Sequence, residues 1–346
     1  MSDESRILED AMTRLLTARC CPADVRGSEG RWMSELWNAL ADMGVPWLGI
    51  PDSRGGSGGD IGDAVLAVRI AARHAVPLPI AEMTLVACPA LASAGINLPE
   101  GASLSCATDP LRAEQAGAGL LVSGTADQVA WAADCDYTVA MCDVDGANQI
   151  VVIRRSDMEV ETERNTAGEA RCRISVQRVR PVEFSATAWS TGVLLARAAA
   201  AATLAISAAA DRVVELSVGY ANTRRQFGKP IGTFQAVAHL LARMAAAAAA
   251  AQGAARLALR ALYNNDILLA GSAKTVASQN AGTVAQLAHQ LHGAIGMTRE
   301  HQLHLLTRRL WSWRDEYGSD RYWSRRQGQH LVATATDPWR DLMEAR

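Results

Sequence analysis

Apolar positions recur at three- and four-residue steps early in the chain: Ile7, Leu8, Met12, Leu15 and Leu16, then Trp32, Leu36, Leu40 and Met43. That spacing predicts two amphipathic helices over residues 5–45. Residues 51–60 carry Gly55, Gly56, Gly58 and Gly59 with no periodicity, so a loop is expected there, and Asp60 is placed to cap a helix through Ile61, Ala64, Val65 and Val68. More helix is predicted over 80–94. From Ser103 to Phe184 the pattern changes to short β-rich runs at 120–124, 137–141, 150–153 and 172–176, separated by Gly, Asp and Asn turns, which suggests a small sandwich or barrel. Beyond Ser190 the helical period returns in four long segments, 193–223, 234–263, 272–292 and 299–332, with breaks at 228–232, 264–271 and 293–296. The expected fold is therefore α+β and mostly α: an N-terminal helical domain (1–102), a middle β domain (103–186) and a C-terminal four-helix bundle (187–346).

Composition narrows the classes of function. The 346 residues are 49% hydrophobic, enough for a large core, and seven consecutive alanines at 245–251 favour a helix that neighbours can approach closely. Lys and Arg number 34 against 36 Asp and Glu, a net charge of −2, so no global field recruits nucleic acid or an anionic membrane. Seven cysteines occur without any C-x-x-C pair, which argues against zinc, a redox motif or a disulfide framework. No metal is expected. The polar N-terminus and the lack of a charge-free apolar run of spanning length lead to the expectation of a cytoplasmic protein that does not enter a membrane.

Two motifs carry chemistry. The stretch 220–235 contains Arg224, Gln226, Phe227 and Gly228, then Ile231 and Gln235. An arginine here can grip a pyrophosphate with bidentate hydrogen bonds while Phe227 offers a flat face to an adenine or ribose. The stretch 290–298 contains Gln290, His292, Gly293, Ala294 and Gly296, small residues that let backbone N–H groups approach an anion. His292 on its own reads as a structural histidine. Together these stretches resemble the R-x-x-F-G-x-x-I…Q and Q-x-x-G-G-x-G elements of the acyl-CoA dehydrogenase family. Weaker likenesses, at 49–58 to the family's P-x-x-x-G-G-x-G loop and at 124–132 to its G-x-K-x-x-x-x-W-I region, extend the resemblance over nearly the whole chain. The resemblance implies that Arg224, Gln226, Phe227, Gln235, Gln290, Gly293 and Ala294 hold the adenine and pyrophosphate part of an FAD belonging to a neighbouring subunit.

Family members remove an α-proton from an acyl-CoA with a glutamate while hydride leaves to the flavin. The resemblance puts that base at one of two positions, and here they hold Tyr317 and Ala198. Glu316 is the nearest carboxylate, but one step along a helix turns it about 100° away, and within Arg314-Asp315-Glu316 it reads as solvated. The family's T-E-P-x-x-G-S-D flavin loop is also lost: Cys106-Ala107-Thr108-Asp109-Pro110 runs into Leu111-Arg112-Ala113-Glu114. These losses resemble the short subunits of α2β2 acyl-CoA dehydrogenases of steroid side-chain breakdown. Such a likeness implies a longer partner subunit that supplies the base, an acyl-CoA substrate, an electron-transfer flavoprotein or similar acceptor, and two FAD per tetramer. The alternatives are a self-sufficient homo-oligomer using Glu316 or another acid, and a flavin-free scaffold.

Overall fold

Thirteen residues after Asp60 form one helix because its carboxylate takes the N–H groups of Gly62 and Asp63, while Asp63 reaches back to the Asp60 N–H. Asp60 as the cap is expected from the sequence; the returning bond from Asp63 makes it reciprocal, closing the glycine loop and starting α4. The computed structural model describes residues 3–117 and 119–334. Its first region is helical: α1 (Asp3–Arg19), α2 (Pro22–Gly27), α3 (Ser34–Asp42), α4 (Ile61–Arg73), α5 (Ile80–Glu82) and α6 (Cys88–Ser93), the last two joined by a π-helical turn, Met83–Ala87. Arg197 donates from Nε to the Leu85 carbonyl in that turn, and from Nη1 to the Leu262 carbonyl and the Asn265 side chain. One buried arginine thus ties the N-terminal helices to the bundle.

Eight strands follow, β1 (Leu104–Cys106), β2 (Leu111–Ala116), β3 (Gly119–Ala130), β4 (Tyr137–Val144), β5 (Ala147–Arg154), β6 (Glu159–Arg164), β7 (Ala170–Val179) and β8 (Glu183–Ala186). They form one mixed sheet in the order β6-β7-β3-β2-β4-β5-β8, with β1 parallel to β4. Bulges in β3 bend the sheet around its own core. Alternation decides the two faces: Ala140, Cys142, Val151 and Ile153 point into that core, whereas Val139, Met141, Ile150 and Val152 join the helical core.

The C-terminal region contains α7 (Thr191–Thr223), the small strands β9 (Arg225–Gln226) and β10 (Lys229–Pro230), α8 (Gln235–Asn264), α9 (Ile267–His292), α10 (Ala294–Met297), α11 (Leu303–Trp313) and α12 (Asp320–Thr334). Two expectations change here. The break before α9 is only two residues long, since Asp266 caps the helix through the Leu269 N–H. Gly271 lies inside α9, where a Cβ would come within 2.4 Å of the Trp323 ring, so it permits packing rather than stopping the helix. The fourth segment is split: Tyr317 (φ 55°) and Gly318 (φ 91°) turn the chain between α11 and α12. Residues 1–2 and 335–346 of the expected domains lie outside the described residues. Among the described residues α7 alone is long and apolar enough to cross a membrane, and 89% of that apolar window is buried against the rest of the protein.

Candidate cofactor clamp and a closed cavity

The end of α7 is built to present side chains outward. Its last turn closes when the Arg224 N–H donates to the Tyr220 carbonyl (2.8 Å), and Arg225–Gln226 pairs with Lys229–Pro230 as a two-residue hairpin. Both loop residues have positive φ, Phe227 at 50° and Gly228 at 78°. That turn type prefers Asn-Gly. A phenylalanine there is held in a conformation costing about 1 kcal/mol or more, and the residue is 90% exposed, with the Phe234 ring 6.0 Å away and steeply inclined to its own. Arg224, Gln226 and, at the first position of α8, Gln235 are exposed beside it.

The second motif ends α9. Gly293 adopts φ 61°, ψ −140°, which only glycine tolerates readily, and a Cβ there would meet nothing within 4 Å. Gln290 and Ala294 are exposed on the same turn. The two motifs meet through a ring stack: Tyr220 of α7 lies 4.5 Å from His292, nearly parallel to it. The surface therefore offers a cation, a free aromatic face and an open glycine turn side by side, which fits the outer half of a dinucleotide. Among the described residues, Arg224, Gln226, Phe227, Gln235, Gln290, Gly293 and Ala294 are all exposed.

The two positions at which the resemblance implies a base also meet, in a different place. Ala198 and Tyr317 line one cavity together with Glu82, Trp131, Arg171 and Trp313, and its volume is about 40 Å³. That is space for two or three waters, far below the ~300 Å³ or more of a ligand pocket. A buried ion network lines it. Arg171 Nη2 lies 2.7 Å from Glu316, 3.3 Å from Glu169 and 3.6 Å from Glu82, and Arg309 Nε lies 3.0 Å from Glu169. Asn165 donates to both Glu169 and Glu316, Trp313 Nε1 donates to Glu169, and the Tyr317 hydroxyl donates to Glu82 (3.0 Å).

Three carboxyl groups here face two guanidinium groups. Glu82 is the one left over: burial pushes its carboxyl above the ordinary range, against the pull of Arg171. Glu316 corrects the sequence reading. It is not solvated, with 10% side-chain exposure, and it stands in a non-helical turn, so a helical rotation does not decide where it points. Its carboxylate is committed to Arg171 and Asn165.

On the other side of Tyr317 an open cleft of about 550 Å³ runs between Thr108-Asp109 and the 315–318 turn. It lies between the shortened loop and the segment at which the resemblance implies a base. Asp109, Asp127, Asp315 and Glu316 line it against Arg164, a poor setting for a pyrophosphate. The loop itself is drawn down, its Asp109 carboxylate accepting the Asp127 N–H. The residues present therefore fit the adenine end of FAD on the outer surface and do not fit its flavin end inside.

Residues 2–97 match the family described as "Acyl-CoA dehydrogenase, N-terminal domain" and residues 187–320 match "Acyl-CoA dehydrogenase, C-terminal domain". The chain belongs to the acyl-CoA dehydrogenase family. Members of this family are oxidoreductases acting on CH–CH bonds and typically depend on FAD. The chain is 30% identical over 314 residues to acyl-CoA dehydrogenase IpdE2 of Mycobacterium tuberculosis, covering 89% of this chain and 91% of that one. It is 31% identical to acyl-CoA dehydrogenase FadE34 of the same organism, covering 87% of this chain but 42% of FadE34. Two solved structures share the fold: the ChsE4-ChsE5 complex of M. tuberculosis (TM-score 0.87, 21% identity, 96% of this chain and 98% of that chain) and a Tcur3481-Tcur3483 steroid acyl-CoA dehydrogenase variant (TM-score 0.88, 22% identity, 97% and 99%).

Glu82, Glu169, Arg171, Trp313 and Tyr220 were not singled out in the sequence. A signal existed for three of them. Glu82 within Ile80-Ala81-Glu82-Met83, and Glu169 and Arg171 around Ala170 and Cys172, are ionisable groups in apolar surroundings that must find partners.

Proposed function

We propose that this chain is the base-lacking subunit of a heteromeric acyl-CoA dehydrogenase. It offers Arg224, Gln226, Phe227, Gln235, Gln290, Gly293 and Ala294 to the adenine and pyrophosphate of an FAD whose flavin a longer partner subunit cradles. When bound, that FAD accepts the hydride lost from the β-carbon of the acyl-CoA. The partner removes the α-proton, and an electron-transfer flavoprotein or a similar acceptor reoxidises the flavin. The observation that carries this reading is the 40 Å³ cavity: both base positions open onto it, neither holds an acid, and with a buried ion network along its wall it leaves far less room than a thioester needs. Two further observations support it. FadE34 has more than half its length outside the stretch matching this chain, as a fused partner would require, and the structural neighbours include the two-component ChsE4-ChsE5 complex. The steroid side-chain CoA thioester as substrate rests on the likeness to a steroid acyl-CoA dehydrogenase.

The test is Arg224→Ala in the complex purified with its partner. Bound flavin is expected to fall at least tenfold in affinity, the scale of a charge-assisted bidentate contact, with the subunits still associated. Full flavin retention would reject the clamp. A second reading, a self-sufficient enzyme, has one observation in its favour: Glu82 is a carboxyl at the cavity with Tyr317 and Ala198. It requires flavin and turnover in the chain on its own.

A further inference from the structure

The two halves of the clamp lie 66 positions apart in sequence, at Arg224 and Gln290, and each adjoins one member of a stacked ring pair. Tyr220 supplies the carbonyl that holds the Arg224 N–H, and a second bond from the Thr223 hydroxyl to the same carbonyl (3.2 Å) fixes that turn. His292 immediately precedes Gly293. Its ring is buried (4% exposed), Nδ1 lies 2.8 Å from the Ala288 carbonyl and must carry the hydrogen, and Nε2 is buried with no hydrogen-bond partner. A neutral imidazole fits this setting. A cationic one would bring a second N–H with nothing to accept it.

We propose that the Tyr220–His292 stack is the joint that sets the Arg224 half of the clamp against the Gln290–Gly293 half, and that protonation of His292 opens it. This rests on the clamp reading above and adds two positioning residues to it. The ionisable groups facing His292 are Tyr220 from α7, His301 from the segment before α11 (4.8 Å between rings) and His289 from α9 itself; α10 contributes none. Behind them His304 acts on His289 and His301. Burial lowers the His292 imidazole below its ordinary value of 6.5, and the neighbouring histidines add to the effect, against the Ala288 bond. The sign follows. The closed joint binds fewer protons than the open one, so its stability is present above pH 6.5 and is lost as pH falls below that value.

The experiment measures FAD retained by the complex of this chain with its partner between about pH 8 and about pH 5.5, across the histidine range. Tyr220→Leu should weaken FAD binding about three- to tenfold at the upper pH, the scale of an aromatic pair, and Tyr220→Phe should restore it. His292→Phe keeps a ring but cannot take a proton; measured against its own FAD affinity at the upper pH, it should show no acid loss, with His289, His301 and His304 still in place. Unchanged affinity in Tyr220→Leu, or an undiminished acid loss in His292→Phe, would overturn the joint. If Tyr220→Leu does not fold, the Phe variants carry the test. Loss of FAD in Arg224→Ala with no effect at Tyr220 or His292 rejects the joint alone, whereas retention in Arg224→Ala rejects the clamp itself.

Discussion

Phe227 stands in a left-handed turn that disfavours it and shows its ring to solvent. A residue kept in a conformation its own fold does not reward is explained by something outside that fold. Phe227→Asn gives the hairpin the Asn-Gly turn it prefers, so the chain should gain about 0.5 kcal/mol in denaturant unfolding while its complex loses flavin. A loss of stability with flavin unaffected would make Phe227 an ordinary packing residue. Glu316 teaches the converse. Its sequence neighbours Arg314 and Asp315 made it look like part of a solvated charge run, yet its partners, Arg171 and Asn165, lie roughly 145 residues away in the sheet region. Short-range pattern found Arg224, Phe227 and Gln290 because the clamp motifs are local. It could not find the Glu82–Arg171–Glu316 network, whose members come from three separate regions of the chain.

At the scale of elements, the end of α11 decides what the Tyr317 turn can do. Lys274, fully buried in α9, donates to the Arg314 carbonyl (2.8 Å) and to Ser278, and the Trp323 indole of α12 donates to the Tyr317 carbonyl. These contacts split a segment whose periodicity reads as one helix, and no local signal in 314–318 except Gly318 announces the break. Burial drives the Lys274 ammonium from 10.5 down to about 7, with Glu316, Asp315 and Asp320 opposing. Between those values the unfolded chain holds a proton that the folded chain lacks, so this group makes stability rise with pH across the window and fall as pH drops toward 7. Comparing urea midpoints from about pH 7 to about pH 9, Lys274→Met should lack a rise of about 1 kcal/mol per pH unit relative to the parent chain. Buried thiols such as Cys20, raised to about 12, give an opposite slope in both proteins and cancel in the difference. Equal slopes would mean that Lys274 is charged in the folded state.

For the molecule as a whole, the helix, sheet and bundle order was legible from periodicity, and the cap at Asp60 and a break beginning at Gly228 from residue type. What periodicity could not give was the cavity, because its size depends on how α4, α5, α7, β7 and the 314–318 turn pack, and an absent acid in the sequence does not say what fills its place. The structure supplies that: Glu82, its carboxyl raised by burial, and a paired Arg171 beside Tyr317 and Ala198. The most direct test is the flavin content and acyl-CoA dehydrogenation of this chain purified alone and with its partner subunit. The account predicts neither flavin nor turnover alone, and two FAD per α2β2 assembly with activity restored. One FAD in every copy of the isolated chain, together with turnover, would contradict it.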